Sequence, residues 1–390
     1  MLRYHARWLA PVSSPPIEHG TVAVDGGRIA YVGPRDAAPP GRDEELGESI
    51  VIPGLVDAHA RLGPDDADSA LAAGLRAGVT TGGASGSADE SLRAMSALGV
   101  RGIVYVEVVG PHPAEHDAAL ATLAARVARL RPLETDRVRL GVAPCGVHAV
   151  HEDLLVDACA WAVGERLPIA IPVAESDDEI AFLREAEGPF ARELRARGVD
   201  VVRRSYSPVH LLKELGIADV ATPLLVHCVK LGDSDVSFVA AAGCRVAHCP
   251  SSNERRGRGV APLVELLDAG VAVGLGTDSG AAGDRDVLGE ARLAARLQAR
   301  RLGRPDAVSP ADALRLATFG GARALGLDAS VGSLEVGKEA DLAAFPLDGA
   351  DQRDDPVASL LRDLAGVPPA LVVVAGRVRV RGGRLLAPSR

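Results

Sequence analysis

Near its start the chain alternates apolar and polar positions about glycines: Thr21-Val22-Ala23-Val24, then Asp25-Gly26-Gly27, then Arg28-Ile29-Ala30-Tyr31-Val32-Gly33. Period-two patterning interrupted by a two- or three-residue glycine turn predicts a β-hairpin. The same grammar returns at the far end in Leu371 to Val374, Ala375-Gly376 and Val378-Arg379-Val380, ahead of Gly382-Gly383. Two strand-rich ends around one long middle predict a small β-sandwich-like domain completed by both termini, over 1–51 and 328–390. In the middle, short apolar runs alternate with helical stretches, the strands falling at 51–56, 79–81, 102–108, 138–143, 168–173, 224–229, 245–248 and 271–276. Eight strand–helix units over 52–327 predict an α/β fold, a closed (β/α)8 TIM-type barrel, rather than an open sheet.

Composition narrows the class. Hydrophobic residues at 47% and charged residues at 24% describe a folded globular chain. The segment 1–10 mixes Arg3, His5 and Arg7 into its apolar run, and no apolar span is long enough for a membrane helix, so a cytoplasmic protein is expected. The five cysteines (Cys145, Cys159, Cys228, Cys244, Cys249) never form a C-x-x-C pair, which argues against a disulfide framework and a structural zinc cage. A net charge of −9 with 3% aromatic residues offers neither a basic phosphate-binding face nor a base-stacking platform, so nucleic acid is not an expected partner.

A barrel gathers its chemistry where strands end at the C-terminal edge. Here the first strand runs into Asp57-Ala58-His59-Ala60-Arg61, the fourth into Ala143-Pro144-Cys145 with His148 beyond, and the fifth into Ala174-Glu175. The sixth ends in His227-Cys228, the seventh in His248-Cys249-Pro250-Ser251-Ser252-Asn253, and the eighth in Gly276-Thr277-Asp278-Ser279. One such histidine is usually a hydrogen-bonded core residue. Ionisable groups on so many strand ends of one face point to a reaction centre.

Val51-Ile52-Pro53-Gly54-Leu55-Val56-Asp57-Ala58-His59, Ala174-Glu175-Ser176, Leu225-Val226-His227-Cys228-Val229, Val246-Ala247-His248-Cys249-Pro250-Ser251-Ser252-Asn253, Gly276-Thr277-Asp278-Ser279 and the segment from Val331 to Leu342 resemble the amidohydrolase superfamily. The nearest branch is similar to the deaminases and chlorohydrolases of nucleobase-like rings, including aminofutalosine and cytosine deaminases and imidazolonepropionase. The resemblance implies one divalent metal, zinc or iron, held in that family by a His-x-His pair on strand one, a strand-five His and a strand-eight Asp, with a strand-six His beside them. On this chain the matching positions are His59, Arg61, Pro172, Asp278 and His227, so two of the usual ligands are replaced. Neither a guanidinium nor a proline donates a lone pair. A guanidinium about 5 Å from a dication would be repelled by on the order of 6 kcal/mol at an effective dielectric near 20. A metal-free centre is therefore expected, with His59, Asp278 and His227 as the ligands should a metal be retained.

The resemblance also implies catalytic roles for Glu175, His227 and Asp278, the groups that move the protons of water and leaving amine; the plainer reading makes them an inherited hydrogen-bond network. Arg61 would pair with Asp278 or with an anionic substrate group, or neutralise leftover carboxylates. Cys145 and His148 would stand at the site as replacement ligands or substrate contacts. Ser252 and Asn253 match a substrate-side loop and equally suit a helix cap. The basic run Glu254-Arg255-Arg256-Gly257-Arg258 reads as solvated surface or as a contact for an anionic substrate. The expected function is hydrolysis of a non-peptide carbon–nitrogen bond, deaminating a purine- or imidazole-like ring. The alternative is an inactive, metal-free binding or scaffolding protein. Either takes a small molecule as partner, and a homodimer is left open.

Overall fold

The apolar run expected as one strand over 51–56 divides at Gly54, and the two halves serve different sheets. In the computed structural model, which describes residues 1–204, 206–280, 285–347 and 355–386, the chain opens with β1 (Leu2–Leu9), β2 (Ile17–Asp25), β3 (Arg28–Pro34), β4 (Arg42–Glu45) and β5 (Ser49–Pro53). Gly54 donates its N–H to Asp341 O at 2.9 Å, and a Cβ there would overlap the Thr80 side chain. Eight further strands follow: β6 (Leu55–Leu62), β7 (Val79–Gly86), β8 (Arg101–Val108), β9 (Val138–Pro144), β10 (Ala170–Val173), β11 (Leu224–His227), β12 (Arg245–His248) and β13 (Ala272–Leu275). The last strands are β14 (Leu342–Pro346), β15 (Leu371–Val374), β16 (Arg377–Arg381) and β17 (Arg384–Leu385).

Strands β6 to β13 pair in parallel as two four-stranded sheets. Isolated parallel bridges, Val142 with Ile169 and Ala60 with Asp278, join them at both seams and complete the eight-stranded barrel. Helices separate the strands because the sequence carries one buried stripe per helix. His116–Leu130, for instance, buries Leu123, Val127 and Leu130, a spacing that keeps one face inward. The strands sort their side chains with period two. Ile103 and Tyr105 on β8, Val226 on β11 and Ala247 on β12 fill the lumen, whereas Val104, Val106, Leu225 and Val246 face the helical layer. Ala322, Ala324 and Leu325 of the helix Gly321–Leu325 belong to the lumen cluster and plug it.

The β-rich unit drawn from both ends is one nine-stranded sheet in which β5 lies between β1 and β14. Its central strands are apolar on both faces. Val51, Leu342, Ala344, Leu371 and Val373 pack with Tyr4, Leu9, Val22 and Val24, while Ile50, Ile52, Phe345 and Val372 join the main core.

Among the barrel glycines whose hydrogen no side chain can replace, Gly102 is the tightest. Gly102 pairs with Gly82 across β7 and β8 at φ 154°, and a Cβ would overlap the Gly82 carbonyl oxygen. Gly102→Ala is expected to cost about 3 kcal/mol, read as a lower urea midpoint with an unchanged slope.

Candidate active site

Local backbone irregularities aim the side chains at the barrel mouth. On β6, Val56 and Ala58 belong to the lumen cluster but Ala60 and Leu62 to the outer core. The register shift between Asp57 and Ala60 changes the parity and brings His59 inward. Ala174, His227, Cys228 and Asp278 all have positive φ, between 48° and 75°, a conformation non-glycine residues seldom adopt outside functional turns. The fifth loop is fastened by Ser176, which accepts from Glu179 N at 3.3 Å, and by Glu179, whose carboxylate accepts from Ala174 N at 3.0 Å and Glu175 N at 2.8 Å. Glu290 fastens the seventh loop through the Ser251 N–H at 3.0 Å and the Ser251 hydroxyl.

Four ionisable groups converge there. His59 Nε2 lies 3.6 Å from Asp278 Oδ1, and His227 Nε2 lies 3.9 Å from Glu175 Oε2. The two imidazoles meet edge to face at 6.1 Å between centroids. His227 Nδ1 donates to Asn253 Oδ1 at 3.0 Å, which leaves Nε2 with a lone pair toward Glu175. Burial pushes the His227 pKa down against the pull of Glu175 and Asp278, so the ring is neutral. Burial works to raise the Asp278 pKa, but hydrogen bonding and charge from His59, the nearby His227 and the Ser252 hydroxyl at 2.5 Å hold this carboxyl well below the usual range. Ser252 and Asn253 thus act on the two central groups as hydrogen-bond partners; Cys249 takes the N-cap position of the helix Pro250–Arg255.

Other expected residues lie elsewhere. Arg61 does not pair with Asp278 through its side chain. Its guanidinium reaches Glu107 Oε1 at 2.6 Å and lines a polar cleft of about 590 Å³ with Asp66, Ser87, Arg255 and Ser279. Cys145 donates weakly to Ala143 O at 3.8 Å, and burial, aided by the Glu107 charge, pushes its thiol up to about 12. His148 stacks on Phe190 at 3.9 Å between centroids. In these positions neither supplies a replacement metal ligand.

Several site residues escaped sequence reasoning. Asp57 accepts from Thr277 N at 3.1 Å, Thr277 Oγ1 at 2.6 Å and His59 N at 3.3 Å, tying the first strand end to the eighth. Buried Arg285 joins the same knot through Thr277 Oγ1 at 2.8 Å, Arg61 O at 3.1 Å and Asp278 O. The run at 255–258 is not simply solvated: Arg256 approaches Glu175 at 3.7 Å and Asp278 at 3.8 Å, and Arg258 approaches Glu175 at 3.4 Å. The one available signal was position, since this run directly follows a strand-end loop.

Burial pushes both Glu179 and Glu290 up to about 7, despite the hydrogen bonds they accept. A carboxyl that holds its proton more tightly when folded gives stability that is complete below its unfolded pKa and is lost as pH rises through 7. The stability that Glu290 contributes is therefore expected to fall between pH 5 and pH 8 by about 3 kcal/mol at most, read as a lower urea midpoint. Glu290→Gln should flatten that slope when unfolding is followed at both pH values.

The donor chemistry does not fit a tightly held divalent ion. Position 61 carries a guanidinium turned to Glu107 and position 172 a proline, so neither offers a lone pair, and His227 Nε2, His59 and Asp278 are the donors that remain.

Comparison with known proteins defines the class of molecule. Residues 50–379 match the amidohydrolase family model, and the chain belongs to that family. Two curated relatives are 5-methylthioadenosine/S-adenosylhomocysteine deaminases. The protein from Moorella thermoacetica is 27% identical, over 97% of this chain and 93% of its own. The one from Symbiobacterium thermophilum is 31% identical, over 83% of this chain and 80% of its own. Among solved structures, an adenosine deaminase from Xanthomonas campestris with bound zinc superposes with a TM-score of 0.83 at 25% identity, covering 100% of this chain and 94% of that one.

Proposed function

We propose that this chain is a hydrolase of non-peptide carbon–nitrogen bonds that removes the exocyclic amino group of a purine-like ring. The observation that carries the reading is the convergence of Glu175, His227, His59 and Asp278 at one barrel mouth, two acid–imidazole pairs within 4.0 Å of contact. Support comes from the adenosine-type deaminases among its relatives.

In this reading Glu175 is the proton carrier. Water attacks the ring carbon and a new C–O bond forms as Glu175 takes the water proton. The C–N bond then breaks as the same proton passes to nitrogen, releasing ammonia. Neutral His227 orients the incoming oxygen through Nε2, and ionised Asp278 with His59 fixes the opposite side of the ring. In this reading the centre works without a metal. Further parts of the proposal are a small-molecule substrate and a cytoplasmic setting, the last supported by five cysteines kept as thiols. No helix among the described residues is long and apolar enough to cross a membrane.

A second reading, a binding protein without hydrolysis, is favoured by the replacement of two ligand positions. Both are tested by incubating the protein with adenosine, 5′-deoxyadenosine, methylthioadenosine, cytosine and an imidazolone while measuring ammonia and the thermal midpoint. Ammonia release from a purine supports the first reading. Thermal stabilisation by a ligand with no ammonia from any of them overturns it in favour of the second.

A further inference from the structure

The basic run after the seventh strand has a local geometry that the proton chemistry above does not use. Helix Pro250–Arg255 is held by Glu290, and Arg256 leaves its end directly over the site. The guanidinium of Arg256 lies 3.7 Å from Glu175 and 3.8 Å from Asp278, and it also donates to the Ser279 hydroxyl. It therefore bridges the carboxylates of the fifth and eighth strand ends. Arg258 adds a second cation at 3.4 Å from Glu175 and 3.8 Å from Asp178. At the same mouth, positions 61 and 172 provide no metal donor.

We propose that Arg256 is the resident cation of the reaction centre: its guanidinium pairs Glu175 with Asp278 and keeps a divalent metal ion out. A planar guanidinium offers several N–H donors in a fixed fork, so one group can face two carboxylates at once. A dication seated on His59 and Asp278 would share the buried Asp278 carboxylate with Arg256, whose side chain is 44% exposed, and two cations on one carboxylate repel. Arg256 acts here as a positioning residue. It holds the two acids at the separation that the proton transfers need and makes a third and fourth metal ligand unnecessary.

This inference concerns the centre of the proposed hydrolase, but its test reads zinc rather than ammonia, so the two can fail separately. The full-length chain carrying Arg61→His and Pro172→His restores two imidazoles to the mouth. Zinc per chain is then measured by elemental analysis after loading and desalting, with Arg256 retained, changed to Lys, or changed to Leu. The expected result is well under one equivalent with Arg or Lys at 256 and close to one equivalent with Leu. Equal zinc in all three proteins, or none in the Leu variant, would overturn the proposal. A purely structural role for Arg256 would not separate Lys from Leu in zinc uptake. Thermal unfolding checks that each variant is folded, and Arg256→Gln replaces the Leu variant if that one fails to fold.

Discussion

Replacing Glu175 by Gln is expected to lower ammonia release by about 10²–10⁴-fold while leaving the fold intact. The fifth strand delivers this carboxyl to the mouth on a loop fastened by Ser176 and Glu179, so the side chain is held without being fully buried. Gln has nearly the same shape and can still present a carbonyl oxygen to Arg256 and Arg258, which face the carboxylate at 3.7 and 3.4 Å, yet it cannot take a proton from water. The loss should fall on kcat, with substrate-induced thermal stabilisation retained. Activity within a few-fold of wild type would remove Glu175 from the role of proton carrier. Loss of binding together with rate would instead make it a substrate contact.

The second large effect is expected at Asp57. Its carboxylate satisfies two backbone N–H groups and the Thr277 hydroxyl in a buried setting, and Arg285 lies on the same threonine. Asp57→Ala removes the acceptor and leaves donors that water cannot reach, which costs about 4–5 kcal/mol. The variant should show this in urea unfolding, and any surviving folded protein should be deficient in turnover because the Thr277 turn that leads into Asp278 loses its tie to the first strand end, leaving the Asp278 N–H to His59 O bond to hold the two ends. Asp57→Asn, which retains one carbonyl acceptor, should lose less. A destabilisation below about 1 kcal/mol for Asp57→Ala would mean that the knot is held by Arg285 alone.

Much of this site could be read from the chain because barrel geometry turns the end of an apolar run into an address. His59, Glu175, His227 and Asp278 each follow such a run, and the structure brings them to one mouth. The strand over 51–56 was misjudged for a definite reason. Pro53-Gly54 inside the run signals a break, but nothing local says that the two halves join different sheets; that is set by the Gly54 N–H bond to Asp341 O and by the close approach of Thr80, both remote in sequence. Asp57 and Arg285 were missed because no periodicity announces a buried polar knot. Arg256 was ambiguous for the opposite reason: a charge run normally meets water, and only the placement of helix Pro250–Arg255 carries it back over the carboxylates.

The position of β5 has a bearing on how the molecule is made. This strand, synthesised early, hydrogen-bonds β1 on one side and β14 on the other, with Ile50 opposite Phe345. A nascent chain can assemble the N-terminal hairpin and the barrel units in order, but one edge of β5 stays unpaired until the final strands have left the ribosome. Such long-range pairing slows folding, and an apolar edge exposed in the interval invites pairing with another chain. The last fifty or so residues therefore act as a late closing step for the protein, and a ribosome that stalls before β14 would release a barrel with an open, adhesive seam.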